Sequence, residues 1–299
     1  ASRRPADPAR LLAEVHQVSL DIVRVGDRPC EIPRFGDDAP EVWRDVNGVI
    51  CARGGVVGGY GWMEVPNIGV FRFRPSQQDV TAFTAPRVED EILLDCYCRI
   101  VLPLALQFFG CEVLHASAVR NGAGVVGFCA VSGTGKSTIV AALTRRGFPL
   151  WADDALVCEN RETEGPRAIP VPCRMRLDGD AAEFLDLGGA SREWVRQDES
   201  DAPLAALCVL QRNLDAHDSA EIRHLGSSAA ITAIMPHAYC FTQASKGRKR
   251  RMMEQYFELA ARAPIYLISF APGFERLERL LDRIEREIPG FAPASHPFI

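Results

Sequence analysis

The segment from 124 to 147 constrains the fold of this chain more than any other part of its sequence. It begins with the apolar run GVVGFC, passes through the glycine-rich turn AVSGTGKST and ends in the amphipathic run IVAALTRRG. An apolar strand, a glycine-rich turn and a helix that ends at a glycine form the context in which phosphate-binding P-loops occur. The sequence therefore predicts a P-loop that joins a buried strand to a helix.

The residue types in this turn suit a bound phosphate chain. Consecutive backbone N–H groups can surround an oxyanion at a helix N-terminus, where glycines permit close approach and positive φ angles. Lys136 adds a cation for the β- and γ-phosphates, and the Ser137 hydroxyl can ligate Mg²⁺. The predicted nucleotide-binding residues are Ser132, Gly133, Thr134, Gly135, Lys136, Ser137 and Thr138.

One position departs from the usual pattern G-x-x-x-x-G-K-[ST], because Ala130 stands where the first glycine is expected. Alanine is disfavoured at positive φ, so it fits this position only if the backbone there is extended. The alternative is a degenerate loop that no longer binds a nucleotide productively.

Two acidic residues, Asp153 and Asp154, end the next apolar run, FPLWADD, and Asp153 lies seventeen residues after Lys136. A carboxylate at the end of a strand beside a P-loop is the usual partner of Mg²⁺. Like charges in one site also raise one of the two pKa values, which would leave one acid as a general base. We expect Ser137 and Asp153 at the metal and treat both acids as catalytic candidates, without assigning the base.

The residues before the P-loop segment have a different pattern. Alternating apolar and polar residues in 16–26, 41–52, 55–65 and 69–74 predict antiparallel strands, and hence a smaller β-rich N-terminal domain over 1–88. Helical spacing over 89–110, interrupted by Pro103, predicts a connecting helix. Short apolar strands that alternate with helices over 111–299 predict an α/β domain, whose last helix carries an apolar stripe from Leu277 to Ile288.

Composition excludes several classes of protein. The 299 residues are 47% hydrophobic and 24% charged, which is typical of a soluble globular chain and unlike disordered, collagen or coiled-coil proteins. The net charge of −5 gives no global reason to bind nucleic acid or an anionic membrane, so we expect neither partner. The basic run from Lys246 to Arg251 is interpreted as a solvated helix start or as a contact for ATP or an acidic peptide.

The ten cysteines are scattered and include no C-x-x-C pair, which favours small buried side chains in a reducing cytosol over disulfides or zinc. The longest apolar run, Ile100 to Phe109, is ten residues long and is predicted to be a buried helix. The N-terminal residues lack the apolar core of a signal peptide. We therefore expect a cytoplasmic protein and leave open whether it forms a homo-oligomer.

The spacing of three features resembles the HPr kinase/phosphorylase family. That family has a histidine before the P-loop strand, a loop of the form G-x-S-G-x-G-K-[ST] and a later A-D-D, and this chain has His115, the loop that ends in Lys136 and Ser137, and Ala152 followed by two aspartates. The resemblance implies a PEP-carboxykinase-like P-loop domain that uses ATP and Mg²⁺. It also implies that His115, with Asp153 or Asp154, activates a serine hydroxyl.

After the aspartates the chain reads PVPCRMRL, where the HPr kinases carry an acidic, leucine-rich segment. In this respect it is similar to the standalone HPr-kinase-like proteins found in biosynthetic clusters for ribosomally made peptides. The N-terminal part, with the run D-x-x-C-R-x-V-L-P-L before LHASAV, resembles the tailoring kinases that phosphorylate the C-terminal serine of lasso peptide precursors. The resemblance implies a precursor peptide as partner. Arg174 and Arg176 alternate on one side of an extended stretch and are catalytic candidates for stabilising the transferred phosphate. The alternatives are an HPr(Ser) kinase/phosphorylase and a nucleotide-gated peptide-binding module without catalysis.

Overall fold

A computed structural model describes residues 18–24, 32, 39, 41–44, 47–74, 78–186, 194–195, 201–214, 220–241 and 245–291 of the chain. Contacts divide the chain into two compact units. The first unit comprises 1–111 and 240–252, and the second comprises 112–239 and 253–299. Each unit is built on its own sheet, so the protein is a mixed α/β structure with two sheets.

The sheet of the first unit has six strands in the order β1-β6-β5-β4-β3-β2. Strands β2 to β6 form an antiparallel meander; the alternating pattern predicts antiparallel strands between 41 and 74 but does not predict β6. The prediction is wrong for β1, which pairs with β6 in parallel, because the intervening meander is a connection long enough to bring the two strands side by side. The strands are β1 (Ser19–Arg24), β2 (Glu41–Arg44), β3 (Ile50–Val57), β4 (Tyr60–Val65), β5 (Gly69–Arg74) and β6 (Asp79–Thr84).

The helical segment of the first unit is α1 (Asp90–Cys96), a π-helical turn over Tyr97–Val101, and α2 (Leu102–Phe109). Pro103 lies in the first turn of α2, where its missing N–H is tolerated, and the irregular turn comes directly before it. The whole run Asp90–Phe109 is long and apolar enough to cross a membrane by length and composition, and 67% of its most apolar window is buried inside the structure. A core helix of a globular protein has the same properties, so this run is weak evidence for a membrane span.

The sheet of the second unit has nine strands, seven of them in the order β10-β8-β9-β13-β12-β11-β7, with β15 beside β13 and β14 beside β15. Strand β13 runs parallel to both β9 and β15, so the carboxyl ends of these three strands meet at one edge of the sheet. The strands are β7 (Glu112–Leu114), β8 (Ala116–Asn121), β9 (Gly124–Cys129), β10 (Leu150–Ala152), β11 (Leu156–Arg161), β12 (Gly165–Ile169), β13 (Ala202–Arg212), β14 (Glu221–His224) and β15 (Ile265–Phe270).

The remaining helices are α3 (Lys136–Arg145), α4 (Gly179–Phe184), α5 (Ser227–Ile234), α6 (Lys246–Arg262) and α7 (Leu277–Glu287), with short 3₁₀ turns over Met235–His237 and Phe274–Arg276. The basic run begins α6, as predicted. Helices α3 and α7 belong to one hydrophobic core with the sheet, through residues such as Leu143, Leu281 and Ile284. The predicted apolar stripe of α7 is confirmed, because Leu277, Leu280, Leu281, Ile284 and Ile288 are all buried.

None of the nine cysteines that the structure describes forms a disulfide. Seven of these nine are buried, as predicted for small apolar side chains, whereas Cys51 is exposed and Cys240 is half-buried. Among the described residues there is also no group of three histidine, cysteine, aspartate or glutamate side chains that could hold a metal ion without other ligands.

Candidate active site

The glycine-rich turn joins β9 to α3 at the edge where the parallel strands end. Gly133 and Gly135 have φ angles of +79° and +113°, which L side chains rarely adopt. Ala130 is fully buried and lies outside the positive-φ region, so the alanine at this position does not strain the loop. The geometric objection that Ala130 raised against a working P-loop is therefore removed.

Lys136 is the first residue of α3 and is almost completely buried. Its Nζ atom lies 3.0 Å from the backbone oxygen of Ala130, to which it donates a hydrogen bond, and 3.0 Å from Nε2 of His115. Burial lowers the pKa of the Lys136 ammonium, and the nearby carboxylates of Asp154 and Asp153 act in the opposite direction. The ammonium is thus held at one position beside the loop.

His115 lies at a bend between β7 and β8, whereas the sequence pattern places it within one continuous strand. Nδ1 of His115 is 3.1 Å from the backbone oxygen of Asp154. Because that oxygen can only accept, and because the Lys136 ammonium donates to Nε2, the network assigns the proton of the neutral ring to Nδ1. Burial and the Lys136 charge lower the pKa of His115, which favours this neutral form.

Asp153 is buried and accepts three hydrogen bonds. Its Oδ1 accepts from Ser117 Oγ at 2.7 Å and from Ser137 Oγ at 3.0 Å, and its Oδ2 accepts from the backbone N–H of Arg176 at 2.9 Å. Burial raises the pKa of Asp153, as does the charge of Asp154, while the three hydrogen bonds lower it. The carboxylate is therefore held in a fixed orientation next to the hydroxyl of the P-loop serine.

Asp154 occupies a different environment from Asp153, although the two are adjacent in the chain. Its φ angle of +67° turns the backbone out of the strand direction, and Asp154 lines the cavity beside the P-loop, which Asp153 does not. Tyr239 donates a long hydrogen bond of 3.4 Å to the Asp154 backbone oxygen and supports the same turn. The two acids thus divide into a buried, hydrogen-bonded carboxylate and one that lines the cavity.

The cavity has a volume of about 470 Å³ and includes the P-loop from Ser132 to Thr138. Of the two predicted arginines, Arg176 lines this cavity, whereas the guanidinium of Arg174 lies over the ring of Trp194 at 5.2 Å from its centre. Sequence reasoning missed Arg212, Arg276 and Phe274, which also line the cavity. Arg212 is the last residue of β13, and its Nε donates to the backbone oxygen of Thr134 at 3.2 Å.

The missed residues share one signal, which is their position at the carboxyl ends of strands. Arg212 ends β13, and Phe274 and Arg276 follow β15 in the loop that leads to α7. Ligands of α/β sheets bind at such strand ends, but the signal becomes useful only when it is known that β13 and β15 run parallel to the P-loop strand. That pairing is not contained in any local sequence pattern.

Comparison with known proteins gives little beyond this geometry. No protein family model matches the chain, and no curated protein matches it. Among solved structures, the HPr(Ser) kinase/phosphatase from Coxiella burnetii is similar over 58% of this chain and 95% of its own, with 15% identity and a TM-score of 0.30. These values are too low to carry a functional conclusion, so the function proposed below is based on the site itself and on the motif spacing.

The residues around the glycine-rich turn can perform three chemical tasks at one edge of the sheet. The loop amides and Lys136 can hold an anionic phosphate chain at the N-terminus of α3. The hydroxyl of Ser137 and the carboxylate of Asp153 lie 3.0 Å apart and offer two oxygen donors to a hard divalent cation. Asp154 offers a further carboxylate at the cavity wall for proton transfer.

Proposed function

We propose that this protein is an ATP-dependent phosphotransferase that uses Mg²⁺ and transfers the γ-phosphoryl group to a hydroxyl. The observation that carries the proposal is the 3.0 Å contact between Ser137 Oγ and Asp153 Oδ1 at the start of α3. A P-loop serine and an aspartate that ends a nearby strand are the two protein ligands that hold Mg²⁺ against nucleotide phosphates in P-loop enzymes. A glycine-rich turn that binds no nucleotide would not need a buried carboxylate at this position.

The residues of the site fit a bound Mg²⁺. Both candidate ligands are oxygen donors, which Mg²⁺ prefers, and the Asp153 carboxylate is held by Ser117 and by the Arg176 amide as well as by Ser137. Mg²⁺, when bound, neutralises charge on the β- and γ-phosphates. Lys136 would bind the same phosphates, and the arginines at the cavity wall would orient the γ-phosphoryl group.

The different environments of the two aspartates support a division of roles. Asp153 uses both of its carboxylate oxygens as acceptors in the buried network, so we assign it to the metal. Asp154 lines the cavity, and we assign it as the general base. In the proposed step the acceptor oxygen bonds to the γ-phosphorus, the bond from that phosphorus to the β,γ-bridging oxygen breaks, Asp154 takes the hydroxyl proton and ADP leaves.

In this scheme His115 is a positioning residue. Its Nε2 accepts from Lys136 and its Nδ1 donates to the backbone oxygen of Asp154, so both ring nitrogens are already engaged. A histidine in this state has no nitrogen left to accept the proton of a substrate hydroxyl. We therefore assign it to holding the lysine and the base-bearing turn at a fixed separation.

The acceptor that we propose is a serine hydroxyl in a peptide, with the C-terminal serine of a lasso peptide precursor as the preferred substrate. The support for this choice is the sequence resemblance, in particular the segment PVPCRMRL and the run before LHASAV. The placement of Ala130 outside the positive-φ region weakens the case for a non-catalytic binding module. An HPr(Ser) kinase/phosphorylase is the alternative that the same motif spacing allows.

Intact-mass spectrometry tests this proposal directly. The protein is incubated with ATP and Mg²⁺ and with three candidate acceptors, which are a precursor peptide that ends in serine, the same peptide with that serine changed to alanine, and HPr. We expect phosphate on the serine-ended peptide alone. Phosphate on HPr alone would select the alternative, and ATP binding without phosphate on any acceptor would contradict phosphotransferase activity towards these classes.

A further inference from the structure

The cavity at the P-loop has two walls of different chemistry. One wall consists of the P-loop amides and Lys136, which suit phosphate oxygens. The other wall is formed by the end of β15, the loop that follows it and the start of α7, and most of its side chains are apolar. Its apolar members are Phe270, Ala271, Pro272, Phe274, Leu277 and Leu280. Arg276 is the member of this wall that suits phosphate oxygens, so a different part of the ligand must account for the apolar side chains around it.

Phe274 differs from the other apolar residues of the second wall because it is an exposed aromatic side chain that stacks on a second exposed ring. Its side chain is 36% exposed and it stacks on Phe184, which is 45% exposed, with ring centres 4.6 Å apart and planes inclined by 16°. Most aromatic side chains that the structure describes are buried or half-buried, and an exposed stacked pair forgoes the free energy that burial would give. Such a pair at the edge of a cavity is typical of a surface that a ligand covers.

The stacking on Phe184 leaves Phe274 with one ring face that is not covered by this partner. Phe184 does not itself line the cavity, so the part of Phe274 that does is not the face that Phe184 covers. Phe184 ends α4, a short helix whose first turn is capped by the Asp178 carboxylate at 2.9 Å from the Ala181 amide. The supporting ring is thereby attached to a helix with a satisfied N-terminus.

We propose that Phe274 is the platform on which the nucleobase of the bound nucleotide stacks, with Phe184 as the supporting ring behind it. This inference rests on the proposed nucleotide site, because the P-loop then fixes the phosphates at the polar wall and directs the base towards the apolar one. Every nucleobase has a π-face, so stacking on Phe274 contributes equally to the binding of ATP and GTP. The platform therefore supplies affinity for the base and does not select its identity.

Binding measurements on Phe274→Leu test the platform. Isothermal titration calorimetry compares Mg·ATP, Mg·GTP and inorganic tripolyphosphate, which has the phosphate chain without a base. We expect both nucleotides to bind about 10-fold to 100-fold more weakly to the variant, which is the range that loss of one base–aromatic stack produces. Tripolyphosphate should bind the variant and the wild type with the same Kd, because it has no base to stack on Phe274.

Two further variants control for indirect effects. Phe257→Leu changes another exposed phenylalanine of the second unit, one that does not line the cavity, and should leave all three Kd values unchanged. Phe274→Trp retains an aromatic face and should keep the affinity for ATP and GTP. If Phe274→Trp loses as much nucleotide affinity as Phe274→Leu, the ring face is not what the base contacts and the inference fails.

The outcomes separate this inference from the proposed function. Equal weakening of tripolyphosphate and ATP in Phe274→Leu would mean that the substitution disturbs the P-loop, and unchanged ATP affinity would mean that no base stacks there. Either result overturns the platform without contradicting the proposal that the P-loop binds a nucleotide. Failure of tripolyphosphate to bind even the wild-type protein would instead contradict the P-loop site, and with it the proposal on which the platform rests.

Discussion

Replacing Ser117 with alanine should weaken the site through Asp153, although Ser117 itself does not line the cavity. Ser117 is fully buried on β8, and its hydroxyl donates to Asp153 Oδ1 at 2.7 Å. A hydrogen bond to a charged group contributes about 1.5–3 kcal/mol when both partners are buried. We expect Ser117→Ala to lower the free energy of unfolding by roughly this amount at a pH where Asp153 is ionised.

The effect of Ser117→Ala on the affinity for Mg·ATP should depend on pH in a defined direction. The Ser117 hydrogen bond is one of the interactions that lower the pKa of Asp153, against burial and the Asp154 charge, which raise it. Without it the pKa rises further, so Asp153 in the variant keeps its proton to higher pH. A protonated Asp153 is a poor ligand for Mg²⁺. The affinity of the variant for Mg·ATP should therefore fall more steeply than that of the wild type as the pH is lowered.

Two measurements check this reasoning, each at a pH of about 6 and of about 8, on either side of neutrality. Urea denaturation gives the free energy of unfolding, and calorimetric titration gives the Kd for Mg·ATP. Ser269→Ala on β15 is the matched control, since Ser269 is a strand serine of the same sheet that takes no part in the Asp153 network. An equal loss of stability in both variants, or an unchanged pH dependence of the Mg·ATP Kd in Ser117→Ala, would refute the assignment of Asp153 to the metal through this hydrogen bond.

The remaining predictions concern the lysine, the base, the histidines and one ion-pair cluster. Lys136→Met should remove measurable ATP binding by calorimetry, and unchanged affinity would contradict the P-loop site. Asp154→Asn should reduce kcat by about 10²–10⁴-fold while Mg·ATP still binds, as expected for a lost general base; an unchanged kcat would exclude that role. The pKa values of His115 and His237 are lowered by burial, so the unfolded chain takes up protons at a higher pH than the folded one. The free energy of unfolding should therefore fall as the pH drops below about 6.5, and a flat profile in urea denaturation would contradict this. Arg146 pairs with three acidic side chains of α7, and Arg146→Ala should lower the free energy of unfolding by about 1–2 kcal/mol, less at high salt; a loss that salt does not reduce would mean that packing and not charge is responsible.

Much of the local structure could be predicted because it depends on short-range patterns. The run from β9 through the glycine-rich turn to α3 lies where the alternation of apolar residues and glycines places it, since strand, turn and helix each have a local signature. The apolar stripe of α7 is equally local, because four of its buried leucine and isoleucine residues recur at helical spacing. The acidic pair after β10 was likewise visible as a change from apolar to charged residues.

What could not be predicted depends on which strands become neighbours. Strand β1 was expected to pair antiparallel and pairs in parallel with β6, a strand that the alternating pattern did not reveal. Arg212 and Phe274 reach the cavity only because β13 lies beside and parallel to the P-loop strand, and β15 lies beside and parallel to β13. Arg174 and Arg176 alternate with one residue between them, yet only Arg176 lines the cavity, because Trp194 provides a ring for the other guanidinium.

The contrast between Asp153 and Asp154 shows how one unusual backbone angle can place two adjacent acids in different environments. The φ angle of +67° at Asp154 lies in the left-handed region, which aspartate tolerates better than most residues but which still has an energetic cost. It turns the chain so that the Asp154 carbonyl meets His115, while the Asp153 carboxylate stays buried and bonded to Ser117. In the proposed mechanism the buried acid then serves the metal and its neighbour serves the substrate. The cost of the strained residue is offset by the hydrogen bonds that hold both acids in place.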